Sequence, residues 1–226
     1  MSLTLANSKM NEVVYTQKNW IEWAKQLQAI AQSGLYYTNN KFEVERYEQV
    51  RNIAKEILNT HSYVKLDKIN EFFCCERGYC TPKLDSRSVC FKNNKILLVQ
   101  ETNGKWSIPG GWVDENLTIR QNLVKEAYEE AGAKVKPKFL IMLHDWKSHI
   151  SLNKNLLAFQ IVKVFCFCEL LDINFKPNSE TLSYGFYSLD NLPNLALEKN
   201  NYEQISNCFD AYNSYIKKIP WVVQFD

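Results

Sequence analysis

Apolar positions early in the chain recur at helical spacing. Trp20, Trp23, Ala24, Leu27, Ile30 and Ala31 fall three or four residues apart, which puts them on one helix face, and Gly34 is a natural stop. A second helix is expected over 43–58, with Tyr47, Val50, Ala54, Ile57 and Leu58 on one side and Glu43, Glu45, Arg46 and Lys55 on the other. A weaker third helix is expected over 65–75. From Pro82 the period shortens. Segments 88–91 and 95–100 read as strands joined by an Asn93-Asn94 hairpin turn. Segments 139–143, 157–170 and 185–189 read as further strands, and 203–217 as a closing helix. A mixed sheet with one strongly marked central helix gives an α/β or α+β fold, preceded by a small all-helical domain.

That central helix has sharp ends. Thr118, followed three residues later by Gln121, fits a capping box, so the helix is expected to begin at Ile119. Gly132 fits the position just past its end. Val124, Ala127, Tyr128 and Ala131 form the expected buried stripe, with Glu126, Glu129 and Glu130 grouped beside it. Like charges this close on a helix disfavour it by roughly 0.2–0.5 kcal/mol per adjacent pair. The Gly110-Gly111 pair upstream leaves backbone open to close approach. Clustered carboxylates beside bare carbonyls are what a hard divalent cation such as Mg²⁺ requires, and a bound cation relieves the repulsion. The competing reading is a solvated acidic helix face.

Composition narrows the class. The 226 residues are 46% hydrophobic and 23% charged, with a net charge of +2, which gives no electrostatic case for a dedicated nucleic-acid binder. The longest apolar runs are too short to span a bilayer, and no N-terminal segment reads as a secretion signal. Seven scattered cysteines (Cys74, Cys75, Cys80, Cys90, Cys166, Cys168 and Cys208) contain no Cys-x-x-Cys pair. They read as reduced thiols of a cytoplasmic protein, with Cys166 and Cys168 acting as small apolar strand residues.

The run Lys125-Glu126-Ala127-Tyr128-Glu129-Glu130-Ala131-Gly132-Ala133, with Gly111 upstream, resembles the signature of the Nudix hydrolases. That signature is glycine, five residues, glutamate, seven residues, then Arg-Glu-apolar-x-Glu-Glu-x-Gly-apolar. Segments at 20–24, 30–35, 45–47, 78–83 and 85–87 resemble a Nudix subgroup with a helical N-terminal extension, described as ADP-ribose or CDP-choline pyrophosphatases that dimerise. The resemblance implies a Nudix-type mixed sheet sandwiched by helices over 77–226, behind a helical domain over 1–76. It implies Mg²⁺- or Mn²⁺-dependent hydrolysis of the pyrophosphate in a small nucleotide conjugate, by a homodimer with no membrane attachment. It also implies that Glu126, Glu129, Glu130 and the Gly111 carbonyl hold the metal. Glu180, on a later loop, is a candidate base. Arg87 and Lys163, on strands able to face the cleft, are candidate phosphate partners. Two positions depart from the signature: its first glutamate falls on Leu117 and its arginine on Lys125. Each loss removes the other's partner. An RNA-directed Nudix enzyme and a catalytically weak nucleotide-binding module are the alternatives.

Overall fold

A computed structural model describes residues 17–62, 69–70, 74, 76–146 and 160–226. The chain divides into two compact units, Met1–Cys80 and Thr81–Asp226. The third helix expected over 65–75 falls mostly outside the described residues.

The first unit is built on α1 (Gln17–Tyr37) and α2 (Lys41–His61). Asn40 caps α2, its side chain accepting from the Phe42 amide, which meets one of the orphan donors of a helix start. Gly34 does not stop α1. The helix runs three residues further, and Gly34 instead makes room for the Tyr47 ring of α2, which lies where a side chain would stand. Ala24, Gln28, Ala31 and Gln32 are the buried positions of α1. The Trp20/Ile30 edge of the expected stripe is left exposed. Among the described residues no helix is long and apolar enough to cross a membrane.

The second unit carries two sheets. One has the order β5-β1-β7-β6-β9, with β1 Lys83–Val89, β5 Gly110–Trp112, β6 Ala133–Asp145, β7 Ile161–Ile173 and β9 Gln224–Phe225. Strand β1 runs parallel to β7 and antiparallel to β5. The other sheet joins β2 (Phe91–Lys92), β3 (Lys95–Glu101) and β4 (Trp106–Ser107), and β8 (Thr181–Tyr187) pairs with β3. The β2–β3 hairpin turns on Asn93 and Asn94, both at positive φ, as a tight two-residue turn requires. Helices α3 (Ile119–Ala131) and α4 (Tyr202–Ile216) complete the unit.

Alternation along the strands sorts the core into two layers. Ile96, Leu98, Phe165 and Phe167 face Ile205, Cys208 and Phe209 of α4. Leu97, Val99, Cys166 and Cys168 face Leu123, Ala127 and Ala131 of α3. The strands are therefore apolar on both faces, and the sheets are covered by a helix on each side. Cys166 and Cys168 are free, buried thiols in the α3 layer.

Helix α3 has the expected ends: the Thr118/Gln121 capping box is formed, and Gly132 is left-handed. Its buried stripe is not the expected one. Val124 and Tyr128 are exposed, whereas Leu123, Ala127, Glu130 and Ala131 are buried. Both sets satisfy helical spacing. The set containing a glutamate is the buried one because Glu130 finds partners inside. The carboxylates thus do not stand together beside the stripe. Glu130 belongs to it, while Glu129 projects to solvent.

Candidate active site

Strand β5 brings Gly110 and Gly111 under α3. Gly110 adopts φ of 146°, and a side chain there would collide with the Ser86 carbonyl of β1. Its amide donates to the Glu130 carboxylate at 2.8 Å. A methyl group at Gly111 would lie 2.8 Å from Glu126 Oε2. Buried amide and hydroxyl groups fix the approach. Asn122 Nδ2 donates to Ser86 Oγ and to the Trp112 carbonyl, its Oδ1 accepts from the Asp114 amide, and Ser88 Oγ donates to the Leu123 carbonyl.

Lys125 Nζ sits at the point where three carboxylates converge, 3.0 Å from Glu126 and Glu129 and 3.1 Å from Asp114. Hydrogen bonds to Glu129 and then Glu126 raise its pKa above the ordinary lysine value. Asp114 is thus a carboxylate partner of Lys125 from outside the signature positions. Among the described residues, no group of three or more His, Cys, Asp or Glu side chains is arranged to hold a metal ion. Lys125 has drawn Glu126 and Glu129 onto itself, and Glu130 has turned to Gly110. The donors nevertheless suit a hard divalent cation. All are oxygens, Gly111 leaves backbone bare beside Glu126, and the ammonium between the carboxylates stands in for a cation.

Glu130 is 8% exposed. Burial pushes its pKa up to about 7, against the opposing pull of Arg87, the Gly110 amide and Lys199. The exposed Glu180 lies on the loop before β8. Asn178 shapes that loop: its Oδ1 accepts from the Glu180 and Thr181 amides, and its Nδ2 donates to the Glu129 carbonyl at 2.8 Å. The candidate base is thereby tied to α3.

Arg87 and Lys163 are not the open phosphate partners expected of them. Arg87 is 2% exposed, and its fork is filled by Asp85, with Nε to Oδ1 at 2.6 Å and Nη2 to Oδ2. Nη1 donates to the Ile108 carbonyl. Burial pulls its pKa down, but Asp85 outweighs this and leaves it raised. Lys163 is 1% exposed, beside Asp85 on the neighbouring strand, and its ammonium donates to the carbonyls of Glu198 and Lys199. Burial and then the charge of Arg87 lower its pKa to about 7. Each cation is buried because its donors are met within the protein. Asp85 stands two residues from Arg87 on one strand face, so that pairing had a signal in the sequence. The Lys163 anchor, which depends on a loop 35 residues away, had none. Trp112 is exposed beside Gly111. Trp146 is buried and donates to the Glu198 carbonyl.

The description of the NUDIX domain matches residues 82–208, and that of a UDP-X-like, N-terminal oligomerisation domain matches residues 18–73. The chain is 33% identical over 207 residues to the Bacillus subtilis (strain 168) protein named "Putative ADP-ribose pyrophosphatase YjhB", covering 91% of this chain and 98% of that one. A crystal structure of an ADP-ribose pyrophosphatase from Streptococcus suis 89-1591 is 43% identical, with a TM-score of 0.58, over 65% of this chain and all of that one. A crystal structure of a UDP-X diphosphatase is 27% identical, with a TM-score of 0.58, over 93% of this chain and all of that one.

The raised pKa of Glu130 has a consequence for stability. Its proton is held more tightly in the folded state, so the contribution is present below the ordinary carboxylate value of 4.5 and is lost as pH rises to about 7. In metal-free protein, the unfolding free energy should fall across that window by up to roughly 3 kcal/mol from this group. Denaturant titrations at pH 5 and pH 7.5 should show the fall in the wild type and a much smaller one in Glu130→Gln. Equal pH slopes would contradict the assignment.

Proposed function

The chain belongs to the Nudix family, and on that premise we propose that it hydrolyses the pyrophosphate of a nucleoside diphosphate linked to a second group, of the ADP-ribose or CDP-choline type. The observation that carries this reading is the approach of Glu126 and Glu130 to the bare backbone of Gly110 and Gly111. The relatives named as ADP-ribose pyrophosphatases and a UDP-X diphosphatase support the reaction class.

Glu126, Glu129, Glu130 and the Gly111 carbonyl are the groups that would hold Mg²⁺ or Mn²⁺. When bound, the cation supplies positive charge against the pyrophosphate and makes a water easier to deprotonate. The chain's own residues do the rest. The Gly110 amide orients Glu130 and satisfies it while buried. Lys125 holds the Glu126 and Glu129 carboxylates near each other, where both would face a bound cation. Glu180, fixed through Asn178, takes the proton of the attacking water. The water oxygen bonds to one phosphorus, the bridging P–O bond breaks, and the electron pair leaves with the other phosphate. Products are a nucleoside monophosphate and the phosphorylated second group. Catalysis then rests on positioning and electrostatics rather than on a covalent intermediate.

Lys125 among the carboxylates favours one rival, a nucleotide-binding module of low turnover. A panel of nucleotide conjugates with Mg²⁺ or Mn²⁺, with products separated by chromatography, decides between them. The expected result is release of a nucleoside monophosphate, and a fall by orders of magnitude in Glu129→Gln with the fold retained. Wild-type turnover in that variant would remove Glu129 from the site.

The first unit supports assembly as a homodimer. The matched description of residues 18–73 is an oligomerisation domain, and α1 and α2 leave Trp20, Ile30, Tyr37, Phe42 and Ile53 exposed. An apolar surface of this kind favours a partner. The reduced thiols support a cytoplasmic setting. Sedimentation at micromolar concentration should give a dimer, and a clean monomer would count against this assembly.

A further inference from the structure

The segment 196–200 is clamped to the strand that leads into Gly110 and Gly111. The Ala196 amide donates to the Trp106 carbonyl at 2.8 Å, and Asn200 Oδ1 accepts from the Ile108 amide at 2.8 Å. Trp146 Nε1 and Lys163 Nζ both donate to the Glu198 carbonyl, and Lys163 also holds the Lys199 carbonyl. A lysine buried to 1% exposure holds this turn from beneath. Its loss of hydration is offset in part by two carbonyl dipoles and the neighbouring Asp85. The backbone of Lys199 is therefore fixed beside the segment that leads into Gly110.

The Lys199 side chain is not buried. It retains 31% exposure, and its Nζ lies 2.9 Å from Glu101 Oε1, which also accepts from Ser107 Oγ at 2.9 Å. Its charge acts on the Glu130 carboxylate together with that of Arg87. Arg87 is closed by its Asp85 fork and the Ile108 carbonyl, Lys163 by backbone carbonyls, and Lys125 by three carboxylates. Lys199 is engaged by a single carboxylate that keeps a second donor when the lysine leaves. A pyrophosphate arriving beside Glu130 brings more charge and more acceptor oxygens than Glu101 offers.

We propose that Lys199 is a substrate-binding residue of this site, exchanging Glu101 for a phosphate of the nucleoside diphosphate, while Arg87 and Lys163 are the buried frame that positions it. The assignment rests on the pyrophosphohydrolase reading above. Sequence position alone gives Lys199 no distinction, because it lies outside the signature on an irregular turn.

Binding of the non-hydrolysable α,β-methylene-ADP is measured by calorimetry in the full chain, alongside KM and kcat for the conjugate that the wild type hydrolyses. Lys199→Met should weaken analogue binding and raise KM by about tenfold, with a smaller change in kcat. Lys199→Arg should recover most of the loss. Glu101→Gln separates a substrate contact from a purely structural ion pair. A phosphate contact predicts binding as tight as wild type or tighter in Glu101→Gln, whereas a structural pair predicts the same loss as in Lys199→Met. Unchanged analogue binding in folded Lys199→Met, or matching losses in the two variants, would overturn the proposal. Failure of the wild type to hydrolyse any conjugate would instead strike the functional reading, because analogue binding reports on Lys199 without turnover.

Discussion

Strand β5 leaves no room for a side chain at Gly110, which lies against the backbone of β1, and brings Gly111 within touch of the Glu126 carboxylate of α3; the rest of the site depends on this approach. The Gly110 amide meets Glu130, and the Gly111 backbone lies against Glu126. A Cβ at Gly110 would strike the Ser86 carbonyl, and one at Gly111 would push the Glu126 carboxylate aside. The contact is held by groups with no direct chemical role. Asn122 pins the segment after β5 to α3 and β1, and Ser88 ties β1 to a carbonyl of the same helix. Apolar packing of Leu123, Ala127 and Ala131 presses the helix onto the sheets. Core packing and site geometry are therefore one structure rather than two.

Burial of charge follows from that closeness. Glu130 enters the apolar stripe of α3, and cations accompany it inward. Arg87 is held by Asp85, and Lys163 by the turn at Glu198 and Lys199. Removing one member of such a buried pair leaves the other unpaired, at a cost of roughly 3–5 kcal/mol. The frame is thus rigid for an electrostatic reason. The other charged groups, Glu126, Glu129, Lys125, Glu180 and Lys199, are partly or fully exposed. A buried charged base with exposed charged tips suits a substrate that is itself a string of charges.

Features set by local chemistry were legible in the sequence. The ends of α3, the Asn93-Asn94 turn and the alternation of Cys166 and Cys168 each depend on a few neighbouring residues. The face of α3 was not, since two stripes one residue apart fit the same period, and only the distant Gly110 amide and Arg87 decide that a glutamate belongs inside. Gly34 misled for a related reason: its role is set by Tyr47 on another helix. Arg87 and Lys163 sat on the expected strands, but a strand pattern does not reveal that a cation's donors are already filled. The anchoring amides of Asn122, Asn178 and Asn200 carried no periodic signal at all. The glutamates could be named from spacing, whereas their unequal burial and the part played by Asp114 required the fold.

The central claim is that bare backbone at Gly111 sets Glu126 in place for a cation. The direct measurement is calorimetric titration of Mn²⁺ into the wild type and Gly111→Ala, with far-UV circular dichroism to verify the fold. The added methyl group displaces the Glu126 carboxylate, so affinity should fall by about tenfold or more while the spectrum is unchanged. Equal Mn²⁺ affinity in the two folded proteins would contradict the account.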